Sequence, residues 1–157
     1  MSDLVRQRAE LRTVNTADLT RAEKGVLGEL RSAIALQRAG YQEMPARLSS
    51  NNGLDGVFVK YDSAGQPVDI IITESKFTSS GNASLTNTKT MGKQISPEWI
   101  DANIQKMMNS SDMSVMETGF FLDMNKSVIR TKANVLTPDG VNRWNKLNLP
   151  ELWDGGN

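Results

Sequence analysis

The chain has 157 residues, 38% of them apolar, with 18 basic and 18 acidic side chains and so no formal net charge. That length supports a single domain with a real core and no need of disulfide or metal staples. The absence of both Cys and His excludes cysteine nucleophiles, Ser-His-Asp triads, Cys/His zinc sites and imidazole acid–base chemistry, leaving carboxylates, lysines, hydroxyls and oxygen-ligated metals. Zero net charge denies the chain a global positive field but leaves room for a local basic groove. No apolar stretch has membrane-span length, and MSDLVRQRAE lacks a signal-like apolar centre, so the chain reads as soluble with no membrane partner.

Leu4, Val5 and Leu11 among charged residues predict a short amphipathic helix within 1–19, a leader to something longer. Thr20-Arg21-Ala22-Glu23 has the form of a capping box, and Ala22, Val26, Leu30, Ala33, Ile34 and Leu36 then share one face, predicting a helix over 20–39 that stops at Gly40. After the turn formers Ser49-Ser50-Asn51-Asn52-Gly53, Leu54–Tyr61 reads as a strand, broken by Asp62–Pro67. Val68–Phe77 carries Ile70, Ile71 and Ile72 in succession, the mark of a central strand buried on both faces, and pairs with 54–61 as an antiparallel hairpin. Thr78–Thr90, small and polar, predicts a surface loop.

Ser96-Pro97-Glu98 supplies an N-cap, a proline at the first helical position and an acid facing the helix dipole; Trp99, Ile100, Ile104, Met107 and Met108 follow as a buried stripe. A short helix over Met113–Leu122, a strand over Val128–Leu136 and a turn at Thr137–Gly140 complete the readable pattern. The tail with Trp144 and Trp153 has none. The order implies one α/β domain over 1–157, a small mixed central sheet flanked by helices.

The chemistry concentrates where the apolar strand ends. Glu74 and Lys76 are two positions apart, so they project from one face of a strand whose other members are buried, and buried charges need a partner or a metal. Asp55 opens the neighbouring strand and converges with them if the hairpin forms. Glu29 sits at the edge of the helix's apolar face, too far in to cap it; Glu23 sits at the opposite edge, where the capping box accounts for it, so Glu29 is preferred as the helix acid. Carboxylates and a lysine on adjacent elements suit metal-assisted phosphodiester hydrolysis, with Mg²⁺ or Mn²⁺ favoured by hard oxygen ligands and Zn²⁺ admitted.

Gly53-Leu54-Asp55-Gly56-Val57, a strand ending Glu74-Ser75-Lys76 and a preceding helix with Gly28-Glu29 together resemble the PD-(D/E)XK restriction-endonuclease-like superfamily. More narrowly, the chain resembles the C-terminal toxin domains of bacterial polymorphic toxins, including contact-dependent growth-inhibition effectors; Gln94-Ile95-Ser96 followed by Trp99 looks like a segment found after their core motif. The likeness spans about residues 23–105, and Leu54 stands where the motif has proline.

The resemblance implies a restriction-endonuclease-like fold with Asp55 and Glu74 as metal ligands, Lys76 as the catalytic lysine, Glu29 as the helix acid at the metal or its water, and Gln94 as a supporting or phosphate-contacting residue. It implies a nuclease toxin, exported within a larger effector, delivered to the target-cell cytoplasm and neutralised in its producer by a cognate immunity protein. DNA is the favoured substrate and tRNA the alternative, with Lys24, Lys76, Lys89, Lys93 and Lys106 as candidate phosphate contacts. A non-enzymatic binding module is the rival reading: Glu74 and Lys76 then form a plain ion pair, and the Met-rich helix 97–108 meets a partner.

Overall fold

The computed structural model describes residues 19–48, 54–77, 87–88, 92–93, 96–137 and 142–144. Helix α1 (Arg21–Arg38) starts as its sequence dictates: the Thr20 hydroxyl accepts the Glu23 amide at 3.1 Å, and the Glu23 carboxylate accepts the Thr20 amide at 3.0 Å. At its far end Gly40 takes a positive φ of 95°, a conformation open to glycine without strain, and turns the chain into β1 (Gln42–Met44). Strands β2 (Gly56–Tyr61) and β3 (Pro67–Phe77) form the predicted antiparallel hairpin. Its loop is closed by Asp62, whose carboxylate accepts the Ala64 and Gln66 amides, both at 2.9 Å.

A two-residue ribbon, β4 (Asn87–Thr88) with β5 (Gly92–Lys93), comes next, then α2 (Pro97–Met108) and α3 (Met113–Met124). A 3₁₀ turn at Lys126–Val128 leads into β6 (Ile129–Leu136), and β7 (Asn142–Trp144) follows. The main sheet has the order β1-β2-β3-β6-β7, antiparallel except for the central β3–β6 pair, which is parallel. This is the mixed α/β architecture read from the sequence.

The isoleucine triplet explains the layering. Ile71 packs with Ala33, Leu36 and Phe58 under α1, while Ile70 and Ile72 face Trp99, Ile100, Ile104, Met107, Val115 and Leu122 of α2 and α3. All three are fully buried, each such side chain contributing about 1.5–3 kcal/mol of transfer free energy. The two covering helices touch closely at Gly119, where a Cβ would lie 2.7 Å from the Met108 amide nitrogen.

Several boundaries move. The 54–61 strand begins at Gly56, the last strand at Ile129 because its first expected residue closes the 3₁₀ turn, and α3 runs on to Met124. Strands β1 and β7 have no counterpart among the predicted elements, and the ribbon claims Asn87 and Thr88 from the expected loop. The expected leader helix, Gln94, Lys89, Trp153, most of the 78–90 loop and most of the 137–140 turn lie outside the described residues. No helix among the described residues is long and apolar enough to cross a membrane.

Candidate active site

The site lies at the exit of β3. Glu74 is 2% exposed although it is acidic, because it continues the face that Ile70 and Ile72 bury. Lys76, two residues on, places its ammonium 3.2 Å from Glu74 Oε1. The other oxygen, Oε2, is buried without a hydrogen-bond partner. Asp55 stands immediately before the hairpin's other strand, β2, and its Oδ2 accepts the Ser75 amide at 3.0 Å, fixing it to the backbone between Glu74 and Lys76.

Asp55, Glu74 and Lys76 therefore converge as their sequence positions imply. Burial, reinforced by the Asp55 charge and opposed by Lys76, pushes the Glu74 carboxyl up to about 8.

Close backbone approach makes this convergence possible. Gly56 is paired with Thr73 across the hairpin, and a Cβ on it would lie 2.5 Å from Thr73 Oγ1 and 2.6 Å from the Phe58 ring. On the opposite face of β3, Ser75 meets Ser32 of α1, their hydroxyl oxygens 2.9 Å apart, and Asn134 of β6 donates to Ser32 Oγ at 2.8 Å. Gly28 lets α1 lie against the backbone of Lys76, whose carbonyl oxygen is 4.0 Å from where a Cβ on that glycine would be. Helix and strands are thus tied together directly behind the acids. Asn134 and the two serines carry no signal in the sequence, since each is an ordinary polar residue until the third dimension joins them.

Glu29 reaches the site from the flank of α1, but its carboxylate holds Arg47 Nη2 at 2.6 Å. Burial raises the Glu29 pKa, Arg47 opposes that effect, and the Asp55 charge adds to it. Arg47 is the residue that sequence reasoning missed. It follows β1, and the charges of Glu29, then Asp55, then Glu74 all stabilise its guanidinium. A cavity of about 450 Å³ opens here, lined by Glu29, Glu43, Arg47, Leu54, Asp55 and Asp112 among others. Its lining acids outnumber its one guanidinium.

Asp55 and Glu74 could hold a hard divalent cation between them, Glu74 offering a buried oxygen with no hydrogen-bond partner. Among the described residues no group of three acids is placed to hold a metal ion, and Glu29 is engaged by Arg47. Of the candidate phosphate contacts, Lys24 lies over the ring of Phe77, the residue after Lys76, 5.7 Å from its centroid, whereas Lys106 is exposed on α2. Comparison with family models, with curated proteins and with solved structures finds no match to this chain.

Proposed function

We propose that this chain is a metal-dependent endonuclease of restriction-endonuclease-like architecture, hydrolysing phosphodiester bonds of nucleic acid, DNA ahead of tRNA. One observation carries the reading: a buried glutamate with an unpartnered oxygen, set beside Asp55 and Lys76 at the exit of an otherwise apolar central strand. Such a group costs stability and has no packing role an isoleucine would not fill better, so a chemical role accounts for it.

Asp55 and Glu74 would hold a Mg²⁺, Mn²⁺ or Zn²⁺ ion, which when bound supplies Lewis-acid polarisation of the phosphoryl oxygen. The chain's own residues do the rest. Asp55, locked to the Ser75 amide, keeps its carboxylate in register with Glu74. Lys76 orients the attacking water and offsets the negative charge that builds on the phosphate as the new P–O bond forms and the old one breaks. The leaving oxygen takes up a proton, giving one phosphate end and one hydroxyl end. An acid-lined cavity repels a phosphodiester until cations compensate it, which supports the demand for metal.

In the wider reading the domain is the toxin part of a larger exported effector that enters the cytoplasm of a neighbouring bacterium, and its producer holds an immunity protein. The β2–β3 hairpin tip supports such a contact, with Tyr61 and Val68 exposed on either side of the loop. A non-enzymatic binding module remains the second reading because Met113, Phe120 and Met124 are exposed on α3. Helix α2, which the sequence offers for that role, turns its Met107 inward instead.

The test is cleavage of plasmid DNA and total tRNA, side by side, with Mg²⁺, Mn²⁺, Zn²⁺ or EDTA and with Lys76→Ala as control. Chelator-sensitive cutting of one substrate, lost in the folded variant, is the expected result. Cutting that survives Lys76→Ala removes the residue assignment, and no cutting under any metal favours the binding module.

A further inference from the structure

The carboxylates at and behind the cavity present an imbalance that the nuclease reading leaves open. Glu29, Asp55 and Glu74 raise one another's cost in pairs: the Asp55 charge acts on both of the others. Yet in the absence of metal the protein must hold them near each other; Lys76 stands 3.2 Å from Glu74. Glu29 is answered by Arg47. Its guanidinium sits 2.6 Å from Glu29 at the wall of the cavity that Asp55 also lines.

We propose that Arg47 is the resident counter-cation of the carboxylate site, holding Glu29 beside Asp55 until a divalent cation binds and takes over that charge. The inference rests on the metal-dependent reading above and extends it to a residue outside the motif. A planar guanidinium suits the task, since it pairs with one carboxylate and still presents donors to others. It also competes, because a bound divalent ion and a guanidinium facing the same acids repel each other. Glu29 is the group that must change partner, because its carboxylate is engaged by Arg47 at 2.6 Å. Arg47 is thus a positioning residue that sets how tightly metal binds.

Calorimetric titration of the purified protein with Mn²⁺ alone, comparing wild type with Arg47→Gln, measures this directly. Arg47→Gln is expected to bind Mn²⁺ about tenfold more tightly, the effect of removing one like charge from a partly buried site. In EDTA it is expected to melt at a lower temperature, because Glu29 loses its partner. Equal Mn²⁺ affinity in the two proteins overturns the proposal and leaves the nuclease reading standing. No Mn²⁺ binding by either protein removes the nuclease reading itself, and the proposal with it.

A second measurement needs no variant to fold: in the wild type, the Arg47 Nε–H resonance is followed during titration with Mg²⁺. A shift that saturates with the metal is expected as the Glu29 contact is released, and an unmoved resonance at saturating Mg²⁺ overturns the proposal. A merely structural ion pair would lower the melting temperature without changing either metal readout.

Discussion

Replacing Glu74 by Gln in the metal-free protein should stabilise it, although the substitution removes the central acid of the site. The folded chain keeps the Glu74 proton up to about pH 8, whereas a free glutamate loses it near 4.5. Between those values the unfolded chain is ionised and the folded one is not, so rising pH draws the protein toward unfolding. The sign is opposite to that of a carboxylate whose ion-pair partner outweighs its burial, because here burial and Asp55 outweigh Lys76. At pH 7 the penalty relative to a side chain that never ionises is about 3 kcal/mol, taking about 1.4 kcal/mol for each pH unit above 4.5; at pH 5 it is below about 1 kcal/mol. Gln keeps the shape and the neutral form while escaping the penalty.

Urea unfolding of both proteins in EDTA at pH 5 and pH 7 measures the difference. The expected outcome is a gain for Glu74→Gln that grows by about 2 kcal/mol between the two pH values, together with loss of cleavage. A gain equal at both pH values, or a variant less stable than wild type at pH 7, refutes the account of Glu74 as a desolvated acid.

Two further predictions concern the frame around the site. Gly56→Ala forces a methyl group to within 2.5 Å of Thr73 Oγ1, so it should destabilise the protein by about 1–3 kcal/mol and shift Asp55, seen as a lower urea midpoint and lost cleavage; an unchanged midpoint contradicts the close approach. At the other end of β3, Asp69 accepts Arg130 Nε at 2.8 Å and is also bonded by the Tyr41 hydroxyl. Burial works to raise the Asp69 pKa, but Arg130 and Tyr41 outweigh it and hold it below the ordinary value of 3.8. This carboxylate therefore stabilises the fold above that ordinary value, and the contribution is lost as pH falls through the lower folded value. Asp69→Asn should cost about 1 kcal/mol at pH 7, screening by solvent at the half-exposed Arg130 being allowed for, and the difference should shrink as acid protonates Asp69; a difference that is the same at every pH assigns it to packing instead.

What could be read from the sequence was whatever a short window determines. Thr20 and Glu23 satisfy each other within one turn, Ser96-Pro97 starts its helix by local chemistry, and three successive isoleucines demand cover on both faces wherever they fall. The hairpin then brought Asp55 to Glu74 and Lys76 because a simple antiparallel connection admits little else. β1 and β7 escaped notice for the converse reason: three-residue strands are defined by the neighbour they pair with rather than by their own pattern.

Glu29 illustrates the same limit inside the site. Its place at the edge of an apolar face left it on the cavity wall, but nothing within a helical window could announce an arginine 18 positions away. The serine–serine–asparagine tie behind Glu74 joins residues up to 102 positions apart, far beyond any periodicity.

The parallel pairing of β3 with β6 has a consequence for biosynthesis. Asp55, Glu74 and Lys76 leave the ribosome early, but the strand that flanks Glu74 on its far side is translated only after both covering helices, with Glu74 registered against Ala133. A chain interrupted anywhere before β6 leaves that side of β3 unpaired and without Asn134 to hold the two serines. Such long-range closure comes late in folding, since the entropy of the intervening loop must be overcome first. The frame behind the acids is thereby closed by a strand made well after the acids themselves, with both covering helices already translated.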